Sequence, residues 1–217
     1  DYHLFDFAIE GVCREVFKDQ NDKIAEVETR LAPVFNAGWS DNDKGYRAIR
    51  DVPLLFSFMV SLAINGCEIP RKRTDLFSAV IQLLATNEVQ DRGVETEVDK
   101  SVADIFLNYL AWLLMENPIC GFNNVLKKMG ALLAVEFNEK PSVAQRLSER
   151  AFRYWEERRL IERLHHGTEE LIAFLHLGFC EYAAAQFLCT LPSVELKNWV
   201  ITTRNDPRWR EVYFNAA

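Results

Sequence analysis

Apolar residues recur every three or four positions along most of this 217-residue chain, and the pattern changes to short apolar runs near residue 160. Recurrence at this spacing predicts amphipathic helices that each turn one face toward a core. The clearest sets are Ile24, Val27, Leu31 and Val34; Leu76, Val80, Leu83 and Leu84; Val102, Phe106, Tyr109 and Leu113; Val125, Met129, Leu132 and Leu133; and Val143, Leu147, Ala151 and Trp155. The chain is therefore expected to be mainly helical.

Two short apolar runs, residues 160–164 and 171–175, flank a polar segment whose Gly167 suits a tight turn. This pattern predicts a β-hairpin. Helices before it and an alanine-rich helix at residues 181–188 after it give the element order of a winged helix. We predict a mainly α fold: a helical bundle subdomain followed by a winged-helix subdomain with one short β-hairpin. The polar residues 86–99 are the predicted boundary between them.

Local signals predict where several helices begin and end. The apolar run from Val52 to Ile64 is expected to be a helix buried on every face, and Gly66 suits the left-handed position that follows a helix. Pro141 is a favourable first residue for a later helix. Asp206-Pro207 begins a further helical segment at the end of the chain, and we expect the chain to be part of a longer protein.

Composition narrows the class of protein. Hydrophobic residues make up 49% of the chain, which is ample for a packed core. The formal charge of −7 argues against broad binding to nucleic-acid phosphates. Five widely spaced cysteines without a CxxC pair indicate reduced thiols. The sequence contains neither an HExxH motif nor a Cys/His cluster, so it gives no indication of a metal site.

No signal peptide is visible, and the longest apolar run is too short for a membrane span. A cytoplasmic location is therefore expected.

Motifs for catalysis are missing from the sequence. It has no GxxxxGK[ST] phosphate loop, no GxGxxG and no nucleophile in an activating context. We therefore predict no catalytic residues, and this chain is not expected to be a complete enzyme.

His176 is the most informative single residue, because it directly precedes a predicted helix. The first N–H groups of a helix are unpaired and favour a nearby anion, so an imidazole there can donate a hydrogen bond to a phosphate. The structural alternative is a histidine satisfied by a neighbouring carbonyl, and the residues alone favour it. Pro53 has two interpretations as well: an ordinary first helical residue, or a rigid ring that packs flat against a base.

Arginines on the helix that is predicted to begin at Pro141 suggest DNA binding as a different function. Arg146, Arg150 and Arg153 share one face of the helix that reads DNA in winged-helix regulators. Glutamates are interleaved with them, which is typical of a solvated, salt-bridged face. Nucleic-acid binding is therefore the less favoured interpretation.

Three separated segments together resemble the C-terminal half of the NACHT family of STAND-class signalling NTPases. The first is Val52-Pro53-Leu54-Leu55, and the second is Ile69-Pro70 followed by Arg73, Leu76 and Phe77. The third and most specific is Phe174-Leu175-His176 with Phe179, Glu181, Tyr182, Ala184 and Ala185, similar to the signature at the end of the family's winged helix. Cys180, Gly178 and Val52 depart from the family pattern but leave His176 and Glu181 in place.

The resemblance implies both a site and a domain plan. Pro53 would touch the adenine, and His176 would contact the terminal phosphate of bound ADP. The implied domains are residues 1–40 as the end of an NTPase core or its lid helices, 41–93 as a helical domain, 94–191 as a winged-helix domain, and 192–217 as the start of a helical linker or sensor.

The implied function is a regulatory module of an ATPase, often one in defence or stress signalling. It would hold ADP in a closed state and rearrange on exchange for ATP. Mg²⁺ and the phosphate loop would come from the NTPase core, and the partners would be that core, a C-terminal sensor and further copies on activation. A winged-helix DNA-binding regulator and a purely structural helical adaptor are the alternatives.

Overall fold

The computed structural model describes residues 11, 14–18, 20–37, 45, 49–50, 52–86, 98–167 and 169–216. The chain divides into two compact units, Asp1–Thr86 and Asn87–Ala217, and each has buried residues of its own. The domain boundaries predicted after residues 40 and 93 lie outside the described residues. Residues 192–216 belong to the second unit.

The described core of the first unit is formed by helices α1 (Asn21–Phe35), α2 (Pro53–Ile64) and α3 (Arg73–Thr86). The α1 residues selected by their spacing are all buried: Ile24, Val27, Leu31 and Val34. Helix α2 packs against both α1 and α3. Phe35 of α1 meets Phe56 of α2 edge to face, with ring centroids 5.9 Å apart.

Helix α2 ends at the predicted stop but is less buried than expected. Gly66 has φ +74°, and the Cys67 N–H donates to the Leu62 carbonyl at 2.9 Å, which is the bond pattern of a Schellman cap. The expectation of burial on every face is wrong within this unit, since Ser57 and Ser61 are exposed. These serines lie four residues apart and therefore share one solvent-facing stripe of the helix.

The second unit begins with helices α4 (Lys100–Glu116), α5 (Phe122–Glu136) and α6 (Pro141–Glu157). Asp99 caps α4 by accepting the Ser101 N–H at 2.7 Å. The fully buried Trp155 of α6 donates its indole N–H to the Ala103 carbonyl of α4 at 2.8 Å. This bond satisfies a buried donor and ties α6 to α4.

A single antiparallel hairpin follows, formed by β1 (Ile161–His166) and β2 (Glu169–Phe174). Ile161 pairs with Phe174 and His166 with Glu169, so the strands extend closer to the turn than the apolar runs predicted. Gly121, between α4 and α5, forms an isolated antiparallel bridge to Leu171 of β2. The prediction of a mainly α fold with one short β-hairpin is confirmed, and the element order is that of a winged helix.

The unit ends with α7 (Leu177–Thr190), α8 (Ser193–Thr203), a 3-10 turn (Pro207–Trp209) and α9 (Arg210–Ala216). Helix α7 begins directly after His176, as the sequence predicted for this histidine. Helix α9 packs on α7, and Trp209 and Val212 are buried. Helix α8 buries none of its residues, so no one-sided apolar stripe was available to predict it. Among the described residues, no helix has both the length and the hydropathy needed to cross a bilayer.

Candidate functional site

The ring of His176 lies at the point where β2 leads into α7. His176 is the N-cap residue of α7, with φ −153° and ψ 144°, and its Nδ1 accepts the N–H of Gly178 at 3.0 Å. A ring nitrogen that accepts a hydrogen bond carries no proton, so the proton of the neutral ring is on Nε2. The half-buried imidazole thus combines a structural cap with a hydrogen-bond donor on its opposite side.

The surrounding sequence fixes the position of this cap. The Leu175 N–H donates to the Leu160 carbonyl at 2.9 Å, which holds the end of β2 against the start of the hairpin. Phe179, in the first turn of α7, is fully buried and anchors the helix. Leu175 and Leu177 on either side of the histidine are 53% and 61% exposed.

Two neighbouring residues of α7, Cys180 and Glu181, are buried close to the cap in the sequence. Among the described residues, Glu181 is the only charged residue that is buried, at 7% exposure. Burial, with a smaller contribution from the Glu181 carboxylate, raises the pKa of the Cys180 thiol to about 12. The thiol donates to the Ala111 carbonyl at 3.5 Å. Cys180 is therefore a neutral packing group.

A cavity of about 530 Å³ lies next to the start of α7. Its lining is mostly apolar and comes from α4 and its C-terminal loop, β2, α7 and the 3-10 turn; the lining residues are Leu114, Met115, Pro118, Ile172, Ala173, Phe174, Leu177, Cys180, Glu181, Pro207 and Arg208. His176 is not part of this lining. Sequence reasoning missed the cavity, because no local pattern relates segments so far apart in the chain.

Pro53, the second predicted site residue, lies in the other unit. It is the first residue of α2, where its missing N–H costs nothing, and it is exposed. The neighbouring Val52 is 42% exposed. Pro53 and His176 thus belong to different units, and each is accessible at the surface of its own unit.

The three arginines of α6 lie at the surface: Arg146, Arg150 and Arg153 are all exposed. The carboxylate of Glu156 on the same helix accepts two hydrogen bonds from Arg163 of β1, at 2.7 and 3.0 Å. The guanidinium of Arg163 also lies over the Phe122 and Phe152 rings. The ion pair between Glu156 and Arg163 therefore connects α6 to the hairpin.

In the described part of the chain, no group of three or more His, Cys, Asp or Glu residues is placed to hold a metal ion. Cys67, Cys120, Cys180 and Cys189 are free thiols. Cys13 lies outside the described residues.

No protein-family model, curated protein or solved structure matches this chain. The resemblance to the NACHT family rests on the three sequence segments given above.

Proposed function

We propose that this chain is the regulatory nucleotide-clamping module of a NACHT-type signalling ATPase. In this role the module holds ADP in a closed state, and exchange for ATP releases the winged helix. The observation that supports this proposal is the hydrogen bond from the Gly178 N–H to Nδ1 of His176, because it leaves the ring proton on Nε2. A donor beside the N-terminus of a helix is suited to a phosphate oxygen.

The exposed residues around His176 and Pro53 fit this proposal. A nucleotide held by this module would receive one hydrogen bond from His176, and Pro53 would pack against its base. The chain has no GxxxxGK[ST] loop. The remaining phosphate contacts and the Mg²⁺ ligands would therefore come from an NTPase core elsewhere in the protein. The alternative of a structural adaptor predicts no nucleotide effect in the intact protein.

The test compares two substitutions of His176 in the intact protein. His176→Ala removes both the cap and the donor, whereas His176→Ser keeps a capping oxygen but cannot reach a phosphate. A hydrogen bond to a charged group contributes about 1.5–3 kcal/mol, so both variants should release ADP roughly tenfold to a hundredfold faster. Loss of the cap costs about 1 kcal/mol, so the free energy of unfolding should fall mainly in His176→Ala.

Stopped-flow release of a fluorescent ADP analogue and chemical denaturation measure these two effects separately. If His176→Ser releases ADP at the unmodified rate, the histidine is only a helix cap and the proposal is wrong.

Binding to DNA is a second candidate, favoured by the three exposed arginines of α6. Proteins that neutralise several phosphates show a steep fall of affinity with salt. The nucleotide-clamp proposal predicts weak duplex binding by this chain that is insensitive to Arg146→Gln and Arg153→Gln together. Fluorescence anisotropy from about 50 to 200 mM salt measures both quantities. A steep salt dependence that the double variant reduces would favour the DNA-binding regulator.

A further inference from the structure

A cavity of about 340 Å³ lies where α8, the 3-10 turn and α9 meet. Its volume is within the range of small-molecule pockets, roughly 300–1,000 Å³. Two arginines line it: Arg204 directly follows α8, and Arg210 is the first residue of α9. Asn205 and Phe214 also line this cavity, which we call the arginine cavity.

The residues next to the two arginines are held in place by contacts within the fold. Thr203, which precedes Arg204, shares a hydrogen bond of 2.7 Å with the hydroxyl of Tyr213 on α9. Trp209, which precedes Arg210, is 2% exposed. The backbone on either side of the arginine cavity is therefore positioned without a ligand.

The positive charges of the arginine cavity are not neutralised by its one carboxylate. Asp206 lines the cavity, but it accepts hydrogen bonds from the guanidinium of Arg208, from Nε at 3.0 Å and from Nη2 at 2.6 Å. In the described part of the chain, neither Arg204 nor Arg210 forms an ion pair with a carboxylate. Two guanidinium groups therefore have donors available for an anion.

An exposed aromatic ring lies beside these charges. Phe214 is 64% exposed, and the guanidinium of Arg210 lies 5.7 Å from the centroid of its ring. A planar group that packs on this ring would remove apolar surface from water within reach of the guanidinium. A phosphate monoester carries a charge of about −1.5 to −2 at neutral pH and has three acceptor oxygens, so it matches two arginines better than a carboxylate does.

We propose that the arginine cavity binds an aryl phosphate, a phosphate monoester joined to an aromatic ring. Arg204, Arg210 and the Asn205 amide donate to the phosphate, and the ring of the ligand packs on Phe214. His176 does not line this cavity, so this proposal and the nucleotide clamp stand or fall independently.

The test uses probes that separate the charge from the ring: phenyl phosphate, inorganic phosphate and phenol. Each is titrated into the chain at neutral pH while the backbone amide signals of Asn205, Arg210 and Phe214 are followed by NMR. Phenyl phosphate should bind roughly tenfold tighter than phenol and about threefold to tenfold tighter than inorganic phosphate, because it alone contacts both the arginines and the ring. A short peptide with one phosphotyrosine is the fourth probe: tighter binding than phenyl phosphate would identify a phosphorylated protein as the source of the ligand, and equal binding a small molecule.

Substitutions of exposed side chains locate the site with little risk to folding. Arg204→Gln and Arg210→Gln should each weaken binding of both phosphates about threefold to tenfold. Phe214→Ala should weaken phenyl phosphate to the level of inorganic phosphate and leave inorganic phosphate unchanged. Arg153→Gln, at an exposed arginine of α6, is the matched control and should bind phenyl phosphate like the unmodified chain.

The proposal is overturned if phenyl phosphate and phenol bind the unmodified chain equally, or if these amides show no saturable shift. An equal loss of binding in Arg153→Gln and Arg204→Gln would overturn it as well, because attraction to the general charge of the chain would then explain the binding.

Discussion

At the scale of single residues, the structure shows His176 as a helix cap, and the phosphate contact is a second role that we propose. The local pattern placed a histidine before a helix, and the structure shows that its Nδ1 caps that helix. The Gly178 N–H donates to the lone pair of Nδ1, so the proton of the neutral ring is on Nε2.

Cys180 gives a prediction about alkaline pH. Burial raises the pKa of its thiol to about 12 from an ordinary value of 9. The unfolded chain therefore loses this proton first, so the stability due to the buried thiol is complete below pH 9 and falls as pH rises toward 12. By about pH 10.5 the loss should be on the order of 2 kcal/mol.

The comparison with Cys180→Ala isolates this group. The stability advantage of the unmodified chain over the variant should shrink between pH 8 and about pH 10.5, as measured by urea denaturation at each pH. Cys189 is exposed, and Cys189→Ala serves as the control for loss of a thiol. A stability difference for Cys180→Ala that stays constant over this range would contradict the assigned burial.

At the scale of elements, the spacing of apolar residues predicted several helices that have one buried face. The spacing of Ile24, Val27, Leu31 and Val34 identified α1 and its buried residues. In α6 the predicted face was rotated, because Ser148 is fully buried and donates to the Leu126 carbonyl at 3.3 Å. A pattern of apolar residues cannot identify a polar residue that occupies a core position.

The hairpin shows a second limit of sequence reasoning. The turn at Gly167, which has φ +64°, could be predicted from the sequence. The bridge between Gly121 and Leu171 could not, since it joins segments that are fifty residues apart in the chain. The cavity beside α7 could not be predicted for the same reason.

The buried end of the 3-10 turn gives a prediction at this scale. Trp209 is 2% exposed and packs edge to face on Trp199 at 4.7 Å. Trp209→Ala should lower the free energy of unfolding of the second unit by about 3–5 kcal/mol, because it removes a large buried ring and leaves a cavity. Chemical denaturation monitored by far-UV circular dichroism measures this loss.

The matched control is Phe214→Ala in the same segment, since Phe214 is 64% exposed. Its effect should stay within about 0.5 kcal/mol. Similar small effects for both substitutions would mean that the C-terminal segment does not belong to the cooperative second unit.

At the scale of the whole molecule, the proposed clamp requires contributions from both units. Pro53 stands at the surface of the first unit and His176 at the surface of the second. The sequence resemblance links the two positions to one nucleotide. The spacing of apolar residues predicts only the fold class, and charge and cysteine spacing narrow only the class of protein. A ligand that binds two bodies favours the arrangement in which both touch it, which is how ADP would stabilise a closed state.

The most direct test of this account is the distance from Nε2 of His176 to the phosphate oxygens in the intact protein with ADP bound. A crystal structure or cryo-EM map at side-chain resolution gives this distance. The account predicts a hydrogen bond of about 2.7–3.2 Å to the terminal phosphate, with Nδ1 still accepting from Gly178. A ring whose Nε2 points away from every phosphate would contradict it.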